Sequence, residues 1–148
     1  MLFGKRNRRV KRILVVEDEP LTAFDNEKLL SDFGYEVVAT HDHFDDAVET
    51  LEREKIDLIL SDVRLGGDKS GLELAHEAKR RNVPLLFVTG HPPDNACDIS
   101  LGCLLKPYND RTLKSALNAI DKLLDGQSPK PPKGLTLYPP KAETSSST

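Results

Sequence analysis

From Lys11 onward, five short runs of β-branched and aliphatic residues alternate with longer amphipathic stretches. That alternation restricts the chain to βα units built around a parallel sheet. The runs are Arg12 to Val16, Tyr35 to Thr40, Ile56 to Ser61, Pro84 to Val88 and Gly102 to Leu105. Each is too short to be a helix, and their continuous apolar character suits strands covered on both faces.

The intervening stretches carry helical spacing and chemically marked starts. Phe44, Ala47, Val48 and Leu51 repeat at i, i+3, i+4, i+7, and Leu113, Ala116, Leu117, Ile120 and Leu124 do the same near the end. Pro20 opens a first helix, Ser70 with Glu73 forms a capping box for a third, and Asn109 is placed to cap the last. The interval from Thr89 to Leu101 holds Gly90, Pro92, Pro93 and Asn95 without a sustained period, so a fourth helix there is expected to be short or irregular.

At 148 residues the chain fits one domain of ordinary size. Six of the eight residues from Lys5 to Arg12 are Lys or Arg; without those six cations the net charge of −3 becomes −9, so the body is acidic. Residues 1–10 read as a basic flexible arm and residues 11–124 as the folded domain. Residues 125–148, with five prolines and a Ser/Thr-rich end, read as a disordered tail with no room for a further output domain. An acidic body makes nucleic acid an unexpected ligand. Two cysteines without paired spacing, and no apolar run of spanning or signal length, fit a reducing cytoplasmic setting without membrane insertion.

In a parallel α/β sheet the residues just after each strand converge on one crevice. Here they are Glu17, Asp18 and Glu19 after the first strand, Asp62 after the third, Thr89 and Gly90 after the fourth, and Lys106 and Pro107 after the fifth. Gathered carboxylates repel one another unless a cation lies among them, and an all-oxygen set suits a hard divalent ion such as Mg²⁺ or Mn²⁺. A single acidic run such as Glu17 to Glu19 is commonly a solvated loop. Several strand ends delivering carboxylate, hydroxyl and ammonium together weaken that alternative.

The motifs VVEDE (Val15 to Glu19), DLILSD (Asp57 to Asp62), VTG (Val88 to Gly90) and LLKP (Leu104 to Pro107), in this order and on these strand ends, resemble the receiver domain of response regulators over Lys11 to Leu124. The resemblance implies a flavodoxin-like, doubly wound sheet of five parallel strands in the order 2-1-3-4-5. It also implies a single-domain regulator of a two-component system or phosphorelay, not a turnover enzyme. In such a protein Asp62 accepts a phosphoryl group from a sensor histidine kinase or phosphotransfer protein, Thr89 and Lys106 engage that group, and a downstream output protein reads the result. Asp18, Asp62 and the backbone carbonyl of Arg64 would hold Mg²⁺, with Glu17 assisting, and the Lys106–Pro107 bond would be cis.

The chain departs from the family pattern in places. The position three before Lys106, usually aromatic, is Cys103, which reads as a small core residue. Thr89 and Lys106 stand seventeen positions apart with Pro92-Pro93 between them. Phe87 to His91 reads Phe-Val-Thr-Gly-His, similar to a Phe-Ala-Thr-Gly-Tyr subgroup. Arg64 and His91 occupy the positions that tune phosphate lifetime. His41, His43 and His76 read as surface residues, with no second ligand set to support a metal. Three other functions remain as alternatives. A Mg²⁺-dependent phosphatase of the haloacid dehalogenase type needs an Asp where Arg64 stands. A flavin mononucleotide binder needs a phosphate loop where Glu17 to Pro20 stands. A pseudo-receiver would have lost one of Asp18, Asp62, Thr89 or Lys106.

Overall fold

The computed structural model describes residues 8–94 and 96–138. Strands β1 (Arg12–Val16), β2 (Glu36–His41), β3 (Leu58–Ser61), β4 (Leu85–Thr89), β5 (Gly102–Leu105) and β6 (Leu135–Leu137) form one sheet in the order β2-β1-β3-β4-β5-β6. β1 through β5 pair in parallel, as expected. β2 and β4 begin one residue later than the sequence suggests and β3 two later, although Tyr35 and Ile56 are still buried.

Alternation along the strands sends successive side chains to opposite faces. Ile13, Val15, Leu58, Leu60, Leu86, Val88 and Leu104 form one core with Leu30 of helix α1 (Pro20–Asp32) and Leu113, Leu117 and Ile120 of helix α4 (Asp110–Leu124). Leu14, Val16, Ile59, Leu85, Phe87 and Cys103 form the other with Ala47 of helix α2 (Phe44–Arg53) and Leu74, Ala75 and Ala78 of helix α3 (Gly71–Arg80). At about 25 cal/mol per Å² of apolar surface buried, these two layers dominate the stabilisation of the fold. The marked helix starts hold: Ser70 and Glu73 close a capping box, Asn109 Oδ1 accepts from Thr112 N–H at 2.8 Å, and Pro20 lies in the first turn of α1.

Two expectations need correction. The tail is not disordered from 125 to 138, because Leu135–Leu137 adds a sixth, antiparallel strand to β5. The physical cause is tertiary: the outer edge of β5 has backbone groups to satisfy, and Leu135 buries its side chain in the first core. The arm is not flexible at residues 8–10. Arg8 stacks on the Tyr35 ring at 4.4 Å, the amides of Arg9 and Val10 donate to the Asp121 carboxylate at 2.7 and 2.9 Å, and Val10 is buried. The parts of those two expectations at residues 1–7 and 139–148 lie outside the described residues. Between β4 and β5 the described residues form turns, in keeping with the irregular segment expected there, closed by Ser100 N–H on the Ala96 carbonyl at 3.0 Å.

Candidate functional site

Backbone hydrogen bonds bring the strand ends level. Glu17 N–H donates to His41 O, Asp62 N–H to Val16 O and Lys106 N–H to Thr89 O, each at 2.9 Å. The side chains that follow β1, β3 and β5 therefore meet. Lys106 Nζ lies 2.9 Å from Glu17 Oε1 and 3.1 Å from Asp62 Oδ2. Carboxylate oxygens of Glu17, Asp18 and Asp62 all lie within 4.8 Å of one another.

The pocket is graded in exposure. Glu17 is buried, Asp62 is partly covered and Asp18 is exposed. Burial raises the Glu17 carboxyl above its ordinary range, while the hydrogen bond from Lys106 works in the opposite direction. Partial burial works against charge on Lys106, yet its bonds to Glu17 and Asp62 outweigh that and hold the ammonium above its usual value.

Asp62 is fixed from below. Its Oδ1 accepts from Val63 N–H at 2.7 Å and weakly from Arg64 N–H at 3.4 Å, while buried Ser61 donates its hydroxyl to the Asp62 carbonyl at 2.7 Å. Gly71, the first residue of α3, runs so close that a Cβ there would stand 2.1 Å from the Asp62 carbonyl oxygen. Neither Ser61 nor Gly71 was singled out in the sequence. The available signals were a Ser directly before the strand-end Asp and a Gly, a poor helix former, directly after an N-cap.

Thr89 is buried at the neighbouring strand end, where its hydroxyl accepts from His91 N–H at 3.2 Å. Exposed Gly90 has open space where a side chain would project. The Lys106–Pro107 peptide is cis, as the resemblance implies. Tyr108, just beyond it, donates its hydroxyl to buried Asn26 of α1, and burial pushes that phenol up to about 12. This tie anchors the loop that carries Lys106.

Cys103 lies in the second core, and burial raises its thiol to about 11, which is the state of an inert core residue. Arg64 and His91 are exposed beside the pocket. His41 bonds Thr50 through Nε2 at 2.7 Å. Contrary to expectation, a second set of ligand-type atoms does converge at His43 with Asp42 and Asp46, all three exposed.

Three carboxylates against one ammonium leave two negative charges in the pocket, and every anionic donor is an oxygen. This is the donor set of a hard divalent cation, so the residues present fit Mg²⁺ or Mn²⁺.

Fold and pocket define a doubly wound α/β protein whose strand ends present an acidic cluster bridged by a lysine. The sequence matches the response regulator receiver domain over residues 13–118. It is 37% identical over 82 residues to the phyllosphere-induced regulator PhyR of Methylorubrum extorquens, covering 54% of this chain and 31% of that protein. It is 31% identical over 113 residues to the transcriptional regulatory protein PdtaR of Mycobacterium tuberculosis, covering 72% of this chain and 55% of that one. The chain thus aligns with between about a third and just over half of these relatives' lengths. The fold is shared with the chemotaxis response regulator CheY4 of Vibrio cholerae, with a TM-score of 0.66 and 24% identity over 75% of this chain and 98% of that one. The chain belongs to the response regulator receiver domain family.

Proposed function

We propose that Asp62 accepts a phosphoryl group from a phosphohistidine of a sensor histidine kinase or phosphotransfer protein, and that the domain then signals through a changed surface read by an output protein. The observation that carries this reading is Lys106 Nζ, held between Asp62 Oδ2 and Glu17 Oε1 in a pocket that also contains Asp18. A carboxylate oxygen of Asp62 forms the new bond to phosphorus while the phosphorus–nitrogen bond of the donor breaks, its electron pair staying with the imidazole. The step brings anions together, so it is favoured by positioning and by charges already in place.

Mg²⁺ or Mn²⁺, held by Asp18, Asp62 and the Arg64 carbonyl with Glu17 supporting, would neutralise charge on the transferred group. Lys106 supplies the fixed ammonium. Val63 N–H and the Ser61 bond orient Asp62. Thr89 redirects its hydroxyl proton from the long contact with His91 O, at 3.5 Å, to a phosphoryl oxygen. Arg64 and His91 flank the product and tune its access to water. Cytoplasmic location belongs to the same reading; among the described residues no helix is long and apolar enough to cross a membrane.

Arg64 stands where a haloacid dehalogenase-type phosphatase needs a second aspartate as general acid, so nothing here favours turnover of external esters. The two activities separate in one assay. With an acyl phosphate and Mg²⁺ the protein is expected to take up one phosphoryl group per chain and to show no sustained release of phosphate from simple phosphate esters. Sustained turnover of such esters would contradict the proposal.

A further inference from the structure

Residues 134–138 lie along the outer edge of β5 from one end to the other. Gly134 O accepts from Leu105 N–H at 2.9 Å, directly before Lys106, and Tyr138 N–H donates to Leu101 O at 2.7 Å, where the loop from Thr89 ends. Between these bonds, Cys103 faces Thr136 in the antiparallel register, and the alternation of that ladder makes them a mutually hydrogen-bonded pair. Leu135 and Leu137 pack against the first core, and Tyr138 packs against the second, which holds Ala96 and Cys103.

Two features make this segment displaceable. Its strand is three residues long, and only Leu135 in it is buried. It hangs on a connector bounded by Gly126 and Gly134, both at positive φ, with three prolines between them, so it is weakly tied to α4. A short outer strand with few buried contacts belongs to the low-stability end of a fold.

The edge it covers is joined to the pocket. Leu105 pairs with Thr89 across β4 and β5, bonds to Gly134 on its other side, and precedes Lys106, whose own N–H is held by Thr89 O. Leu105 is 41% exposed while the three preceding residues of β5 are buried, so packing resists a shift least at this end of the strand. Resting on the reading of Asp62 above, we propose that residues 134–138 are a strap whose docking on β5 is weakened by a phosphoryl group on Asp62. Movement of Thr89 toward that group, carried by its pairing with Leu105 and its bond to Lys106 N–H, draws Leu105 away from Gly134, the strap detaches, and the β5 edge is bared.

Gly102 offers a way to test the strap without touching the pocket. A Cβ at Gly102 would stand 2.1 Å from Thr136 O, and its nearest neighbours all belong to the strap. Gly102→Ala therefore disfavours the docked state from the β5 side, and Thr136→Pro does so from the strap side by removing a ladder donor. Coupling is reciprocal, so if an anion on Asp62 loosens the strap, loosening the strap tightens binding of that anion.

The experiment uses the full chain with beryllofluoride and Mg²⁺ as a reversible phosphoryl mimic, its binding read by fluorine NMR and the Leu105 and Tyr138 amides read by hydrogen exchange. Saturation of the wild type is expected to speed exchange at both amides by about tenfold, and both variants are expected to bind the mimic about tenfold more tightly. Unchanged exchange in saturated wild type, or variants that bind with wild-type affinity, would overturn the strap while leaving Asp62 as the acceptor. Failure of wild type and variants alike to bind the mimic would instead overturn the reading of Asp62, and with it the trigger.

Discussion

Lys106 Nζ sits 3.1 Å from Asp62 Oδ2 while also pairing with Glu17, so one ammonium holds two carboxylates of a crowded pocket in place. Lys106→Met removes that charge and leaves the fold's cores untouched. The initial rate of labelling by acetyl phosphate is expected to fall by about 100-fold with the circular dichroism spectrum unchanged. A rate within a few-fold of wild type would remove Lys106 from the chemistry.

Gly71 and Asp62 define a second close relationship, in the backbone. Because a Cβ at Gly71 would collide with the Asp62 carbonyl oxygen at 2.1 Å, Gly71→Ala must shift either α3 or the end of β3. A loss of about 1–3 kcal/mol is expected in urea unfolding, together with slower labelling. Unchanged stability would mean that the start of α3 yields freely.

His43 bonds Asp42 at 2.7 Å, and that hydrogen bond raises the imidazole above its ordinary value of 6.5. The raised value belongs to the folded state. Any stability from the pair is therefore full between the ordinary Asp42 value of 3.8 and the ordinary His43 value of 6.5, and is lost as pH climbs through the higher folded value of His43 or falls through the lowered folded value of Asp42. Proton NMR is expected to show a His43 midpoint above 6.5 that drops in Asp42→Asn. An Asp42→Asn titration identical to wild type would contradict the pairing.

Cys97 is exposed and Cys103 is buried with its thiol raised to about 11. Iodoacetamide at pH 8 is expected to modify Cys97 alone in the native protein and both thiols after unfolding in urea. Modification of native Cys103 would contradict its assignment to the core.

Strands β1, β3 and β4 were legible because each carries an apolar run buried on both faces, so a local pattern reports a global position. The edge strand β2 shows the same kind of run but is only partly covered. Helix starts were legible for a different reason: Ser70, Glu73 and Asn109 act within a few residues of themselves. Strand β6 had no such signal. Leu135-Thr136-Leu137 lies among prolines and lysines, and only the unsatisfied edge of β5, remote in sequence, makes it a strand. The docking of Arg8 to Val10 was hidden in the same way, since its partners Tyr35 and Asp121 come from distant parts of the chain. At the site, Glu17, Asp18, Asp62 and Lys106 could be read from their strand-end positions. Ser61, Gly71 and the Tyr108–Asn26 tie act through backbone approach and burial, which residue type alone does not reveal.

Whether Asp62 is the phosphoacceptor is read directly by intact-mass measurement after incubation with acetyl phosphate. The wild type with Mg²⁺ is expected to gain the mass of a single phosphoryl group, and the gain is expected to vanish in Asp62→Ala and when the metal is chelated. Equal labelling of wild type and Asp62→Ala would contradict the account.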